Sequence, residues 1–327
     1  MEKIVHRMVD VNGINMHIAE LGHGPTVLLI HGFPELWYSW RHQILYLAAH
    51  GYHAVAPDLR GYGDTTGPPL DDVTKFTTFQ VVGDLVSLID QVASLDEKVL
   101  VVGHDWGAII AWCLCLYRPD KVKALVNMSV AYIPRNPKFK PVDGIRAIYG
   151  NDHYISRFQE PGVIEDEFAE LGIERALKKF LAYRNPTPPV LPKNLSLEDS
   201  PDNPILLPSW LSEGDIAYYT SKYEKTGFTG GLNYYRAMNL NWELSAPWTG
   251  AQVKVPAKFI VGEIDLTYNT MGIQDYIHKG GFKKEVPLLE DVIIMEGVGH
   301  FLHEEKPDEI NQHIDRFFKQ FCDDELN

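Results

Sequence analysis

Three residues far apart in the chain, Asp105, Asp265 and His300, could together carry out a two-step displacement at carbon. Asp105 is the centre of Gly103-His104-Asp105-Trp106-Gly107, between the apolar run at 98–102 and a helix-compatible stretch that begins Ala108-Ile109-Ile110-Ala111. Strand, sharp turn and helix around one central side chain form the nucleophile elbow usually written G-x-S-x-G. Its small flanking residues let a strained turn lift the central group above the sheet. A carboxylate there is already ionised near neutral pH and needs no base before it attacks a saturated, strained carbon, whereas a serine would suit acyl transfer. The competing structural reading makes Asp105 the N-cap of the following helix.

Asp265 follows Ala257-Lys258-Phe259-Ile260-Val261-Gly262 and is expected at the carboxyl end of a core strand, where open α/β sheets place their chemistry. His300 lies in Gly297-Val298-Gly299-His300-Phe301, between a further strand and the last helix. A carboxylate holding one ring nitrogen fixes the tautomer, and the other nitrogen can then take a proton from water. The chain order, nucleophile then acid then histidine, is the one this elbow requires. Glu263 is the rival acid and His303 the rival base. His31-Gly32-Phe33-Pro34 follows the run at 26–30 and occupies the loop expected to supply one backbone donor to an oxyanion hole, the Phe33 N–H, with the Trp106 N–H as the second. Pro34 is a candidate for a cis peptide bond. Glu35 and His104 are candidates for holding or relaying the attacking water.

The elements that must position these residues follow from hydrophobic period. Residues 4–21 alternate around Asn12-Gly13, the signature of a tight antiparallel hairpin. Short apolar runs at 26–30, 53–56, 98–102, 123–127, 256–261 and 291–295, separated by helix-length stretches, predict buried parallel strands with crossovers, closed by a helix over about 307–321. Between 132 and 246 the pattern turns helical and rich in tyrosine and tryptophan, with seven prolines from Pro186 to Pro208. The expected organisation is an α/β core of residues 1–131 and 247–327 and an inserted α-helical cap of 132–246 containing a proline-rich loop at 186–208.

The formal net charge of −14 opposes binding to phosphate backbones and anionic membrane surfaces, so nucleic acid and membrane insertion are poor expectations. Three cysteines give no disulfide framework, and Cys113 and Cys115 sit two apart in a helical stretch where they point to different faces. The N-terminal residues lack the apolar core of a secretory signal, and the chain is expected to be cytoplasmic. N-glycosylation patterns at Asn127 and Asn194 are then chance matches. There is no H-E-x-x-H, paired C-x-x-C, phosphate loop or complete G-x-G-x-x-G, so no metal and no cofactor is expected. Oligomeric state, monomer or weak dimer, stays open.

With these motifs in place, the sequence resembles the soluble epoxide hydrolases of the α/β-hydrolase fold, plant members most closely, over essentially the full chain. The resemblance lies in His-Gly-Phe-Pro at 31–34, Asp-Leu-Arg-Gly-Tyr-Gly-Asp-Thr at 58–65, Gly-His-Asp-Trp-Gly at 103–107 and Gly-Val-Gly-His-Phe at 297–301. In the cap, His153-Tyr154-Ile155-Ser156-Arg157-Phe158-Gln159-Glu160-Pro161-Gly162 and Asn233-Tyr234-Tyr235-Arg236 resemble the segments carrying the family's two tyrosines, here Tyr154 and Tyr235. Tyr149 and Tyr234 are the neighbours that could be mistaken for them. A phenol with pKa about 10 stays protonated near neutrality and can donate to the oxygen of an opening epoxide. The resemblance implies a small-molecule epoxide and water as reactants, with epoxy fatty acids and aromatic epoxides such as styrene and stilbene oxides as the substrate classes. Haloalkane dehalogenases share the elbow aspartate followed by tryptophan, but hold halide with an asparagine at the position of Phe33 and lack the phenol pair. A hydrolase-fold ligand receptor without turnover is the alternative from another class.

Overall fold

The computed structural model describes residues 3–191 and 204–322. The chain opens with a hairpin, β1 (Val5–Val11) and β2 (Ile14–Leu21), in register from Val5 opposite Glu20 to Val11 opposite Ile14. Asn12 and Gly13 turn it with φ of 45° and 80°; two consecutive positive φ angles match the twist of the flanking strands. Six further strands follow: β3 (Thr26–Ile30), β4 (His53–Pro57), β5 (Val99–His104), β6 (Val122–Met128), β7 (Ala257–Gly262) and β8 (Leu289–Met295). They form one sheet in the order β1-β2-β4-β3-β5-β6-β7-β8, antiparallel at β1/β2 and β2/β4 and parallel from β4 onward.

The central strands β3, β5 and β7 are buried along their whole length, the consequence of helices on both faces of a parallel sheet. Strand β5 runs two residues past the apolar run at 98–102, because the backbones of Gly103 and His104 still pair with Asn127 and Met128 of β6. Strand β8 begins two residues earlier than its apolar run. Helix Trp106–Tyr117 is almost wholly apolar and sits under the sheet, whereas helix Pro307–Lys319 is amphipathic and buries Ile310, Ile314, Phe317 and Phe318. Asn127 is buried and donates from Nδ2 to the Ala108 carbonyl, which leaves no room for a glycan; Asn194 lies outside the described residues, as does the 192–203 part of the proline-rich stretch.

Between β6 and β7 the chain leaves the sheet for a helical insertion that includes helices Pro141–Tyr149, Val163–Leu171, Ile173–Leu181, Glu213–Thr226 and Thr229–Arg236. It is fastened to the core by buried polar contacts. Tyr38 donates to Asp215 at 2.8 Å, Arg41 lies 3.1 Å from the same carboxylate and 2.6 Å from Glu304, and the Trp37 indole N–H donates to the Tyr218 hydroxyl at 2.7 Å. Among the described residues no helix is long and apolar enough to cross a membrane.

Candidate active site

Asp105 sits between β5 and helix Trp106–Tyr117 with φ 52° and ψ −121°. A non-glycine residue there stores about 1–3 kcal/mol of strain, which its surroundings must over-determine. The neighbours explain how. A Cβ on Gly107 would lie 2.0 Å from the Ile30 carbonyl oxygen, and one on Gly103 would lie 2.6 Å from Asn127 Oδ1. The turn therefore closes only with glycine on both sides. Its side chain makes no capping hydrogen bond to the helix, so the N-cap reading fails; instead its Oδ1 accepts from the Phe33 N–H at 2.7 Å. A Cβ on Gly32 would stand 2.4 Å from that same oxygen, so this approach also needs glycine. The Phe33–Pro34 peptide is cis. Trp106 is the first residue of its helix, where backbone N–H groups have no intrahelical acceptor.

His300 bridges two carboxylates. Its Nε2 is 3.5 Å from Asp105 Oδ2 and its Nδ1 is 3.0 Å from Asp265 Oδ1. Asp265 is fully buried just past the end of β7, and a Cβ on Gly262 would lie 2.3 Å from the Val298 carbonyl, which shows how closely the acid strand and the histidine loop pack. Burial alone would lower the His300 pKa, yet the charges of Asp265 and Asp105 and their hydrogen bonds outweigh it and hold the imidazole well above its usual value. For Asp265 burial works upward, but the His300 imidazole and the Thr267 backbone N–H hold the carboxyl below its ordinary range.

The two cap tyrosines meet over this floor, with ring centroids 6.1 Å apart, and Tyr235 packs edge-on against Trp106 and Phe33. Burial, the Asp105 charge and, for Tyr235, the Tyr154 ring raise both phenols well above the ordinary tyrosine value. They remain hydrogen-bond donors. Helix Thr229–Arg236 can bring Tyr235 this low because Gly230 and Gly231 let it touch the core: a Cβ on Gly230 would lie 2.1 Å from the Gly61 carbonyl, and one on Gly231 would lie 2.7 Å from the Phe33 ring. Gln159 donates to both the Ile155 and Tyr235 carbonyls at 2.9 and 3.1 Å, and Arg236 donates to the Phe158 carbonyl at 3.1 Å while pairing with Glu165 at 2.8 Å. These contacts tie the two tyrosine-bearing segments together. Sequence reasoning gave neither Gln159 nor Arg236 a role; their only signal was their place beside the two tyrosines.

The rivals are committed elsewhere. Tyr234 donates to the Arg60 carbonyl at 3.0 Å, and the Tyr149 hydroxyl accepts from the Met271 N–H at 2.9 Å. Glu263 accepts from the Gly297 N–H at 2.8 Å and so braces the His300 loop from outside. Burial pushes the His303 imidazole down to about 4, too weak a base for water. Glu35 and His104 form a buried network behind the site: His104 Nδ1 lies 2.8 Å from Glu35 Oε2, and Nε2 lies 2.8 Å from the His300 carbonyl oxygen. With His303 they bring three possible ligand atoms within 4.8 Å of one another, but Glu35 Oε2 also accepts the Gly32 N–H at 2.8 Å, so these donors already brace the loop that holds Phe33.

Fold and site together define an α/β-hydrolase with a carboxylate at its elbow, and residues 27–313 match the Alpha/beta hydrolase family. Epoxide hydrolase 2 of Siraitia grosvenorii is 55% identical over 321 residues, spanning 98% of this chain and 100% of that protein. The structure of potato (Solanum tuberosum) epoxide hydrolase I superposes with a TM-score of 0.94 at 64% identity, covering 98% of this chain and 100% of that one. An epoxide hydrolase from Vigna radiata gives a TM-score of 0.94 at 56% identity, over 98% and 99% of the two chains. The chain belongs to the plant-type epoxide hydrolases. The dehalogenase and receptor alternatives give way to that assignment.

Proposed function

We propose that this enzyme converts epoxides and water to vicinal diols through an alkyl ester on Asp105, with Tyr154 and Tyr235 holding the epoxide oxygen. The observation that carries the reading is one imidazole set between two carboxylates beneath two cap phenols, Tyr235 buried and Tyr154 half-buried. An Asp105 oxygen bonds to a ring carbon while the carbon–oxygen bond of the epoxide breaks, and the released oxygen takes a proton from a phenol. Esterification removes the Asp105 charge. One of the two anions that raise the His300 pKa is then gone, and the neutral imidazole, with its Nδ1 proton toward Asp265 and its Nε2 bare, takes a proton from water. The hydroxide attacks the Asp105 carbonyl carbon, with the Phe33 and Trp106 N–H groups facing the developing oxyanion. On collapse the diol oxygen takes the proton back from His300, and the proton left on the Asp105 carboxyl restores the phenol.

Epoxy fatty acids and aromatic epoxides are the proposed substrates. The division into a core of 1–131 and 247–327 and a cap of 132–246, and a cytoplasmic setting, belong to the same reading; the free thiols of Cys113 and Cys115 fit a reducing compartment. The test is His300→Gln mixed with styrene oxide. Mass spectrometry should find the substrate's mass added to the peptide holding Asp105, and an unmodified peptide after prolonged incubation would refute the ester.

A further inference from the structure

Ser129 directly follows β6 and is buried, with φ 71°, a left-handed conformation costly for any residue with a Cβ. That geometry turns its hydroxyl to within 3.0 Å of His300 Nδ1 and 3.2 Å of Thr267 Oγ1. Asp265 Oδ1 is 3.0 Å from the same Nδ1, so one ring proton faces two acceptors. Proton accounting supports that arrangement. Thr267 Oγ1 lies 2.7 Å from the Ser129 carbonyl and 3.0 Å from Asp265 Oδ1, so its single proton goes to one of these acceptors. The Ser129 hydroxyl proton then goes to a Thr267 lone pair or to the Asp265 carboxylate, and either way the Ser129 oxygen is left to accept from His300.

Resting on the ester mechanism above, we propose that Ser129 is a positioning residue for ester hydrolysis: its hydroxyl shares the His300 Nδ1 proton with Asp265 and holds the ring so that bare Nε2 faces water. Asp265 fixes the proton on Nδ1 through one oxygen, while the His104 and Phe301 rings pack against the imidazole without a hydrogen bond to it. The second acceptor, on a different strand, sets the ring plane. Attack by Asp105 does not use this contact, so only the second chemical step depends on it.

The experiment is rapid-quench mass spectrometry of wild type, Ser129→Ala and Ser129→Gly with styrene oxide across pH. Both variants should form the Asp105 ester within about twofold of the wild-type rate and hydrolyse it about tenfold more slowly, the loss of one hydrogen bond to a charged ring. Removing an acceptor from Nδ1–H withdraws support from the imidazolium, so the acid limb of the hydrolysis profile should move to lower pH by about half a unit. Glycine relieves the backbone strain that alanine keeps, so a shared defect assigns the effect to the hydroxyl. Hydrolysis at the wild-type rate in either variant, an unmoved limb, or equal slowing of both steps would overturn the proposal. Absence of any ester in wild type would instead overturn the mechanism on which it rests.

Discussion

Two carboxylate–imidazole pairs lie at opposite sides of this sheet and are alike in almost every local respect. His300 and Asp265 are 3.0 Å apart, with side chains 8% and 0% exposed; His17 and Asp58 are 2.8 Å apart, with side chains 8% and 1% exposed. Both aspartates follow the carboxyl end of a core strand, β7 and β4 respectively. The difference lies in the second ring nitrogen. His300 Nε2 faces the Asp105 carboxylate at 3.5 Å beneath the cap phenols. His17 Nε2 is 3.1 Å from His6 Nδ1, and the two rings are nearly parallel with centroids 5.2 Å apart, a head-to-head arrangement that satisfies both nitrogens. Asp58 meanwhile accepts the Trp37 N–H at 2.9 Å and the Asp64 N–H at 3.2 Å, bracing two loops. A buried pair of this kind is a site only when its outer nitrogen faces something that reacts.

Breaking each pair should separate the two roles. Asp265→Asn should cut steady-state diol formation by about 10⁴-fold with little change in thermal unfolding, because the amide preserves shape but no longer holds the proton on Nδ1. A loss under tenfold would mean another group orients His300. Removing one phenol comes next in size. Tyr235→Phe should lower the rate of ester formation by about 10²-fold, with ester hydrolysis less affected, read in single-turnover quench experiments. Equal slowing of both steps would take the phenol out of the ring-opening step. The smallest effect on turnover belongs to the other pair: His17→Ala should leave kcat within about twofold and reduce stability by about 2–4 kcal/mol in urea unfolding, because it removes the side-chain partner of a buried carboxylate that keeps only its backbone donors. A large loss of kcat at unchanged stability would erase the distinction drawn here.

Much of the core was legible because its signals are local. The Asn12-Gly13 turn, the glycines flanking Asp105 and the apolar runs of β3 to β8 each act on residues within a few positions of themselves. The chain order of Asp105, Asp265 and His300 follows from the same strand ends. The cap was less legible. Sixteen tyrosines offer no pattern that singles out two, and the choice of Tyr154 and Tyr235 rested on resemblance to a family. What separates Tyr235 from Tyr234 is the rotation of one helix, set by Gly230 and Gly231 against the core and by Gln159 and Arg236 against a neighbouring segment.

The sequence by itself determined the sheet, the strained elbow with its carboxylate, and the order of the groups that serve it, since these depend on backbone preferences and periodicity along short stretches. Only the tertiary structure decided that Ser129 reaches His300, that Gln159 ties the two tyrosine segments together, and that His17 spends its second nitrogen on His6. Each of these contacts joins segments that are distant in the chain or on different strands. Hydrogen-bond geometry changes over fractions of an ångström, and such alignment is fixed by how the elements pack together, which no local pattern encodes.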